Sequence, residues 1–194
     1  MTIRTSTKAP ITRRAVLNSV ASLPLLAAAG CGVLPGREGA EIGITLTGQA
    51  LMKHPLCADP YPGLDGIVAE LARNPVVFTD LEIAIKTAES GKPTRDTEFF
   101  HAATPEVLDC LRAMRFNLLA LSNNHAWDLG TEGVLATRNA VLNRGFAAAG
   151  SGRNANEATA AAELQSGDNT IALVSMATEK IRDGAAATDE RAGI

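Results

Sequence analysis

The most chemically distinctive segment of the chain is LSNNHAWDLG, residues 121–130, which combines amide, imidazole and carboxylate side chains. It comes at the end of an apolar run, residues 116–121, that predicts a buried strand. Asp128 can fix the tautomer of the His125 imidazole, and an imidazole held in this way can transfer protons. A structural reading is also open. An Asn-Asn pair can end a strand through side-chain-to-backbone hydrogen bonds, and a single histidine is often only a satisfied polar group.

Two earlier strands of the predicted fold also end in polar side chains. Thr47-Gly48-Gln49 closes the first, and Thr79-Asp80-Leu81-Glu82 closes the second. In parallel α/β sheets, ligands bind outside the carboxyl ends of the strands. We therefore expect these two clusters to converge with residues 121–130. Amide oxygen, imidazole and carboxylate together suit divalent cations such as Zn, Mn or Fe.

The elements that must position these residues alternate along the chain. Apolar runs predict strands at residues 41–47, 76–78, 116–121, 146–149 and 171–176. Helical spacing of apolar residues predicts helices at residues 64–73, 104–115 and 131–143. Thr104 and Thr131 are the expected N-caps of the last two helices, with Pro105 at a first helical position and Gly145 after the last turn. This alternation predicts an α/β layered domain with a largely parallel sheet.

The amino terminus predicts an export signal. Residues 1–30 contain four basic residues and no Asp or Glu, and a mildly apolar stretch there leads into Ala27-Ala28-Ala29. This order is typical of a signal peptide, and the pair Arg13-Arg14 favours the twin-arginine route. An ordinary amphipathic helix is the alternative. The chain is therefore expected to be exported, to the periplasm or the cell envelope.

Two cleavage patterns compete at the end of this signal. Ala27-x-Ala29 suits a general signal peptidase, whereas residues 28–31 are similar to a lipoprotein box that ends at Cys31. We favour the second, in which a lipidated Cys31 attaches the protein to a membrane. Residues 31–41 then form a tether.

The net charge indicates which class of partner the protein does not suit, and the cysteine content indicates whether a disulfide can form. The net charge is −3, and the remainder without residues 1–30 is more acidic still, so the protein does not suit nucleic acid. Cys110 lies on the apolar face of a predicted helix and is most simply a small buried hydrophobe. An oxidising compartment would permit a Cys57–Cys110 disulfide, although nothing in the sequence requires one.

Over about residues 42–178 the chain resembles the CapA family of poly-γ-glutamate capsule biosynthesis proteins, within the calcineurin-like metallophosphatase superfamily. Residues 123–130 match the family motif Asn-Asn-His-x-x-Asp-x-Gly in full, and Asp80-Leu81-Glu82 keeps the glutamate of the family's Asn-Leu-Glu motif. Residues 145–152, GFAAAGSG, are also similar. The resemblance implies the N-terminal half of a layered metallophosphatase-like sandwich over residues 42–181. The Ala- and Asp-rich composition of the remainder predicts an unstructured end at residues 182–194.

The resemblance also implies roles for individual residues. The ligands of divalent metal ions (Mn, Fe or Zn) are expected to be Glu82, Asn124, Gln49 and Asp80. His125, oriented by Asp128, is expected to act as general acid or oxyanion stabiliser. The candidate substrate contacts are Asn123, His54 and His101. The alternatives are a solvated loop histidine for His54 and a packed loop-to-helix junction for His101.

Two departures from the family pattern leave three functions open. Gln49 stands where the family has a metal-bridging aspartate, and the further histidines of the family's second half have no counterpart in this chain. The first function is a metal-dependent hydrolase acting on an anionic cell-envelope polymer or a phosphoester. The second is a non-catalytic protein that binds or assembles the polymer on the same fold. The third is a truncated product without activity.

Overall fold

The computed structural model describes residues 41–58, 61–95, 99–178 and 181–194. The predicted export signal, the candidate lipidation site Cys31 and nearly all of the tether lie outside these residues. Within the described ranges, no helix has the length and apolar character needed to cross a membrane.

A parallel sheet of four strands forms the centre of the fold. Its order is β1-β2-β5-β6, and the strands are β1 (Ile44–Gln49), β2 (Val76–Asp80), β5 (Leu118–Ala120) and β6 (Ala147–Ala149). Every neighbouring pair is parallel, so the carboxyl ends of all four strands lie at one edge. The predicted α/β layered fold with a largely parallel sheet is confirmed.

The helices follow the strands in the expected alternation, and their bounds are α1 (Leu64–Leu71), α2 (Glu106–Ala113), α3 (Gly130–Leu142) and the single turn α4 (Ala155–Ala158). Val77 and Leu119 of the sheet share one hydrophobic cluster with the apolar faces of α1 and α2. Val107, Leu108 and Leu111 of α2 are almost completely buried there. Burial of these faces fixes the helices on the sheet, since single amphipathic helices of this length are marginal in water.

Two smaller strand pairs lie beside the main sheet. β3 (Ala84–Ile85) pairs with β4 (Ala102–Ala103) in parallel, whereas β7 (Ala162–Ser166) and β8 (Asn169–Leu173) form an antiparallel hairpin. The predicted fifth strand, residues 171–176, is thus displaced to Asn169–Leu173 and pairs within this hairpin rather than with the parallel sheet. The reason is the two-residue turn Gly167-Asp168, in which Gly167 adopts φ +58°.

The two predicted threonine caps are wrong, the first by one residue and the second by two. Pro105 occupies the N-cap position of α2, so the helix begins at Glu106. Leu129 occupies that position for α3, and the Thr131 hydroxyl accepts a hydrogen bond from Trp127 Nε1 at 3.2 Å. Gly145 adopts φ +73° after the last turn of α3, as expected for a glycine that ends a helix.

Long-range links hold the loops around this sheet. A disulfide joins Cys57, in the loop after β1, to Cys110 of α2, which is the pairing that the sequence permitted without requiring it. Residues 182–194 contain no helix or strand, but the prediction of an unstructured end is wrong. Gly193 exchanges backbone hydrogen bonds of 3.0 Å with Gly152, and Ala185 is buried.

Candidate functional site

The three polar clusters meet at the carboxyl edge of the sheet, as predicted. Gln49 at the end of β1 is the Cα partner of Asp80 at the end of β2. Asp80 in turn pairs with Ala120 of β5, which leads into residues 121–130. Strand register therefore brings together residues that are separated by dozens of positions in the chain.

Asn123 links the polar residues after β5 to those at the end of β2 through hydrogen bonds. Its Nδ2 donates to Asp80 Oδ1 and to the Leu81 carbonyl, each at 2.9 Å. Its Oδ1 accepts from the backbone N–H of His125 at 3.0 Å, and the residue is buried. Asn123 thus positions the backbone of His125 relative to β2. A contact between Asn123 and substrate stays a prediction.

His125 and Asp128 form a buried pair. His125 Nδ1 lies 2.9 Å from Asp128 Oδ2, and Asp128 is fully buried. A carboxylate can only accept, so Nδ1 carries the proton and the other ring nitrogen, Nε2, is left for proton transfer. Asp128 Oδ2 also accepts from the backbone N–H of His101 at 2.8 Å. The carboxylate therefore orients the ring and anchors a second chain segment.

The His101 ring packs edge-on against His125, with ring centroids 4.1 Å apart. Burial lowers the pKa of the His101 imidazole, and the nearby charges of His125, Lys53 and Arg95 lower that pKa further, against the opposing effect of Asp128. These influences favour the neutral ring. His101 is consequently part of the site's wall, and a direct contact with substrate stays a prediction.

Two arginines that the sequence analysis did not identify also reach Asp128. Arg95 Nε forms an ion pair of 2.8 Å with Asp128 Oδ1, although its N–H is poorly aligned for a hydrogen bond. The Arg95 guanidinium also donates to the Asn124 carbonyl. Arg182 lies 3.9 Å from the same carboxylate oxygen. No spacing in the sequence indicates these contacts, because each arginine lies in a segment without helical or strand periodicity.

Arg182 connects the last described segment to this loop. Its guanidinium donates to the hydroxyl and the carbonyl of Thr94, and it lies over the Trp127 ring at 5.4 Å from the centroid. Thr94 in turn donates to the Trp127 carbonyl at 2.9 Å. Arg182, in the last described segment, therefore helps to hold the loop at residues 121–130 in place.

The family profile of the bacterial capsule synthesis protein PGA_cap matches residues 42–193. The chain belongs to this PGA_cap family. The family lies within the metallophosphatase-like superfamily, in agreement with the α/β architecture.

Two curated relatives of this PGA_cap chain are the uncharacterized proteins y4sH and y4uA of Sinorhizobium fredii (strain NBRC 101917 / NGR234). Each is 32% identical over 134 residues, which is 68% of this chain and 29% of the relative. The chain thus spans less than a third of the length of these relatives.

In this PGA_cap chain, Asp80 and Glu82 form an acidic pair at the end of β2. Burial raises the pKa of both carboxyls. The charge of Asp80 raises the pKa of Glu82 further, while His125 opposes this, and the hydrogen bond from Asn123 opposes the shift of Asp80. Neither carboxylate forms an ion pair with an arginine or lysine of the described segments. The pair therefore carries negative charge that the surrounding side chains leave largely uncompensated.

The charge of this acidic pair is enough for one divalent ion and too small for two. Two uncompensated carboxylates suit a single cation that keeps water or amide oxygens as its remaining ligands. However, no group of three His, Cys, Asp or Glu side chains in the described ranges could hold a metal ion. Gln49, next to Asp80, is neutral and cannot bridge two dications. The ligand roles of these residues stay predictions.

The remaining candidate residues are more exposed. Asn124 and Gln49 are exposed, and the Asn124 carbonyl accepts a hydrogen bond from Arg95. His54 is exposed and lines an open depression of about 500 Å³ formed by residues 49–54 and Leu56. The depression begins at Gln49, so it adjoins the edge where Asp80 lies. Whether His54 contacts substrate stays a prediction.

Proposed function

We propose that this chain carries part of a hydrolase-type site that acts on an anionic cell-envelope polymer or a phosphoester. The buried His125–Asp128 pair, 2.9 Å between Nδ1 and Oδ2, carries the proposal. It lies at the carboxyl edge of a parallel sheet, where ligands of α/β folds bind. The acidic pair Asp80 and Glu82 adjoins the same edge, and so does the depression lined by residues 49–54 and Leu56.

Proton transfer is the chemistry that this chain's own residues supply. Asp128 holds the His125 ring in the tautomer whose Nε2 accepts a proton, and the protonated ring then donates it to a leaving oxygen. Asn123 fixes the backbone of His125 through the hydrogen bond of 3.0 Å. His101 packs against the ring and restricts its motion. A rigid imidazole can thus act as general acid or as oxyanion stabiliser.

A divalent ion would complement this chemistry. Asp80 and Glu82 would hold it, together with the Gln49 or Asn124 amide oxygen, and Mn, Fe or Zn are the candidates. When bound, such an ion supplies Lewis-acid polarisation of a phosphoryl or carbonyl oxygen.

We further propose that the protein acts outside the cytoplasmic membrane. The Cys57–Cys110 disulfide supports this location, since such bonds persist in oxidising compartments. The acid-free, basic amino terminus supports export, and lipidation of Cys31 would attach the protein to a membrane. Mass spectrometry of the protein purified from membrane fractions tests this: a lipid adduct on an N-terminal Cys31 is expected, and a mature chain that begins before Cys31 would contradict lipidation.

The hydrolytic function is tested on the purified full chain supplied with Mn²⁺. The two substrates are p-nitrophenyl phosphate and poly-γ-glutamate, and metal content is measured in parallel. His125→Gln is expected to lower the hydrolysis rate by about 100-fold or more, because it removes the proton-transferring group. Glu163→Gln, in the exposed hairpin strand β7, serves as control. Equal rates for His125→Gln and wild type would contradict the proposal.

A second candidate is a non-catalytic protein that binds or assembles the polymer. The neutral Gln49 favours it, as does the lack of a three-ligand cluster among the described residues. It predicts binding of poly-γ-glutamate without metal and without turnover, unchanged in His125→Gln. Turnover that depends on His125 would exclude it.

A further inference from the structure

Arg95 contacts both ends of the short loop that carries His125. Its Nε forms an ion pair of 2.8 Å with Asp128 Oδ1, and its Nη2 donates a hydrogen bond to the main-chain carbonyl of Asn124. Asn124 directly precedes His125, whereas Asp128 is the residue that pairs with the imidazole. One guanidinium group therefore connects the main chain before His125 to the carboxylate after it.

The two oxygens of the Asp128 carboxylate have separate partners. Oδ2 accepts from His125 Nδ1 at 2.9 Å and from the backbone N–H of His101 at 2.8 Å, while Oδ1 faces Arg95. Asp128 is fully buried, so water could not replace the guanidinium as the partner of Oδ1 if Arg95 were removed. The carboxylate would then turn toward another donor, and its hydrogen bond to His125 would weaken. Arg95 thus fixes which oxygen faces the imidazole.

Arg182, the second arginine near this carboxylate, does not duplicate the contact. It lies 3.9 Å from Asp128 Oδ1, which is beyond hydrogen-bond distance. Its guanidinium donates instead to the hydroxyl and the carbonyl of Thr94, and it lies over the ring of Trp127. Because Arg182 is held by these contacts, loss of Arg95 would leave Oδ1 without a close cation.

We propose that Arg95 is a positioning residue of the candidate site, which aims the His125 imidazole by holding Asn124 and Asp128 at a fixed separation. A guanidinium presents several N–H donors in a rigid planar fork and can reach two acceptors at once, whereas the ammonium of a lysine is a single point charge. Arg95 acts through these two residues rather than on the substrate. The proposal deepens the hydrolytic function and rests on it only for the effect on rate.

The His125 ring is observed directly, without turnover. Proton–nitrogen NMR of the full chain at mildly alkaline pH distinguishes a proton on Nδ1 from one on Nε2. Wild type is expected to carry the proton on Nδ1, because Asp128 accepts from it. Arg95→Met is expected to show a mixture of the two tautomers, and Arg95→Lys a smaller share of the second one. Arg73→Met removes an exposed arginine that pairs with Glu70, and this control should match wild type.

Hydrolysis of p-nitrophenyl phosphate, with Mn²⁺ supplied, measures the consequence for rate. Arg95→Met is expected to lower kcat by about 100-fold with little change in KM, because a misplaced imidazole impairs the chemical step rather than binding. Arg95→Lys is expected to lose about tenfold, since an ammonium cannot reach Asn124 and Asp128 together. The side chain of Arg95 is 21% exposed, so methylguanidinium should enter the space left in Arg95→Ala and raise kcat by about tenfold.

Failure of the positioning role and failure of the hydrolytic function give different results. An unchanged His125 ring signal in Arg95→Met overturns the positioning role, whatever the rate. A mixture of tautomers in this variant supports the role, and if wild type then hydrolyses neither p-nitrophenyl phosphate nor poly-γ-glutamate, only the hydrolytic function is overturned. Thermal unfolding checks that each variant folds. If Arg95→Met does not fold, Arg95→Lys takes its place, and a ring signal equal to that of wild type overturns the role.

Discussion

His125 and Asp128 lie three residues apart and face each other within a single turn, with 2.9 Å between Nδ1 and Oδ2. The turn is closed by a backbone hydrogen bond of 3.0 Å from Asp128 N to His125 O. The spacing His-x-x-Asp therefore sets the geometry locally. Burial of both side chains then removes competing water.

Asp128→Asn is expected to lower the proposed hydrolytic rate by about two orders of magnitude or more, because an amide no longer enforces one imidazole tautomer. The carboxylate partner of Arg95 is lost as well. Nitrogen NMR of the His125 ring measures the tautomer, and steady-state kinetics measures the rate. Asp168→Asn, in the exposed hairpin turn, is the control. An unchanged ring signal in Asp128→Asn would argue against the orienting role.

The raised pKa values of Asp80 and Glu82 predict a specific dependence of stability on pH. A carboxyl whose pKa is higher in the folded state stabilises the fold below its ordinary pKa. This contribution is lost as the pH rises from the ordinary values, 3.8 for Asp80 and 4.5 for Glu82, through the raised ones. Metal-free wild type should therefore lose stability over this window, relative to the double variant Asp80→Asn/Glu82→Gln.

Thermal unfolding across that pH range measures this difference, with chelator present. Asn at position 80 keeps the oxygen that accepts from Asn123, so the variant preserves that hydrogen bond. Parallel curves for the variant and wild type would show that these carboxyls are not the cause. Addition of Mn²⁺ at neutral pH should raise the unfolding temperature of wild type and leave that of the double variant unchanged.

Reduction of the Cys57–Cys110 disulfide is expected to lower the free energy of unfolding by about 2–4 kcal/mol. The bond closes a loop across a sequence separation of 53 residues, which restricts the unfolded chain. Denaturant unfolding with and without reductant measures the loss. The double variant Cys57→Ala/Cys110→Ala should unfold identically in both buffers, and a persistent reductant effect there would assign the loss to another source.

Gly150→Ala is expected to destabilise the fold by about 1–3 kcal/mol. Gly150 adopts φ +103° at the end of β6, and an added Cβ would lie 2.6 Å from Ser175 Oγ and 2.7 Å from Ser122 Cβ. Gly145→Ala separates the two causes, since Gly145 also has positive φ, +73°, but open space around it. Chemical denaturation should show the larger loss for Gly150→Ala. Equal losses would mean that backbone strain alone is responsible.

The sequence was sufficient to predict the parallel sheet and the convergence of three polar clusters at its carboxyl edge. Buried strands such as residues 76–78 are short apolar runs, and the polar residues after them mark strand ends. The carboxyl ends of parallel strands lie at one edge, so the approach of the cluster at Gln49 to the cluster at Asp80 could be anticipated, whereas the register irregularity between Leu46 and Gln49 could not. The His125–Asp128 contact could also be anticipated, because the two residues lie only three positions apart.

Contacts between loops could not be predicted in the same way. Arg95 and Arg182 reach Asp128 from segments without periodicity, and His101 meets His125 from a separate loop. Such contacts depend on the tertiary path of the chain and leave no spacing signal. The hairpin β7–β8 is different, because its Gly167-Asp168 turn was visible in the sequence and shows why residues 171–176 do not extend the parallel sheet.

The contact between Arg182 and Thr94 has a consequence for the order in which the protein assembles on the ribosome. The main-sheet strands are added side by side in chain order, so the sheet can grow vectorially as the chain emerges. The Thr94 hydroxyl, however, accepts a hydrogen bond from Arg182, which comes 88 residues later in the chain. Asp128 can thus be buried against its complete set of charges only after residue 182 has left the exit tunnel. The nascent chain therefore completes the surroundings of the loop at residues 121–130 late, after the sheet that carries this loop.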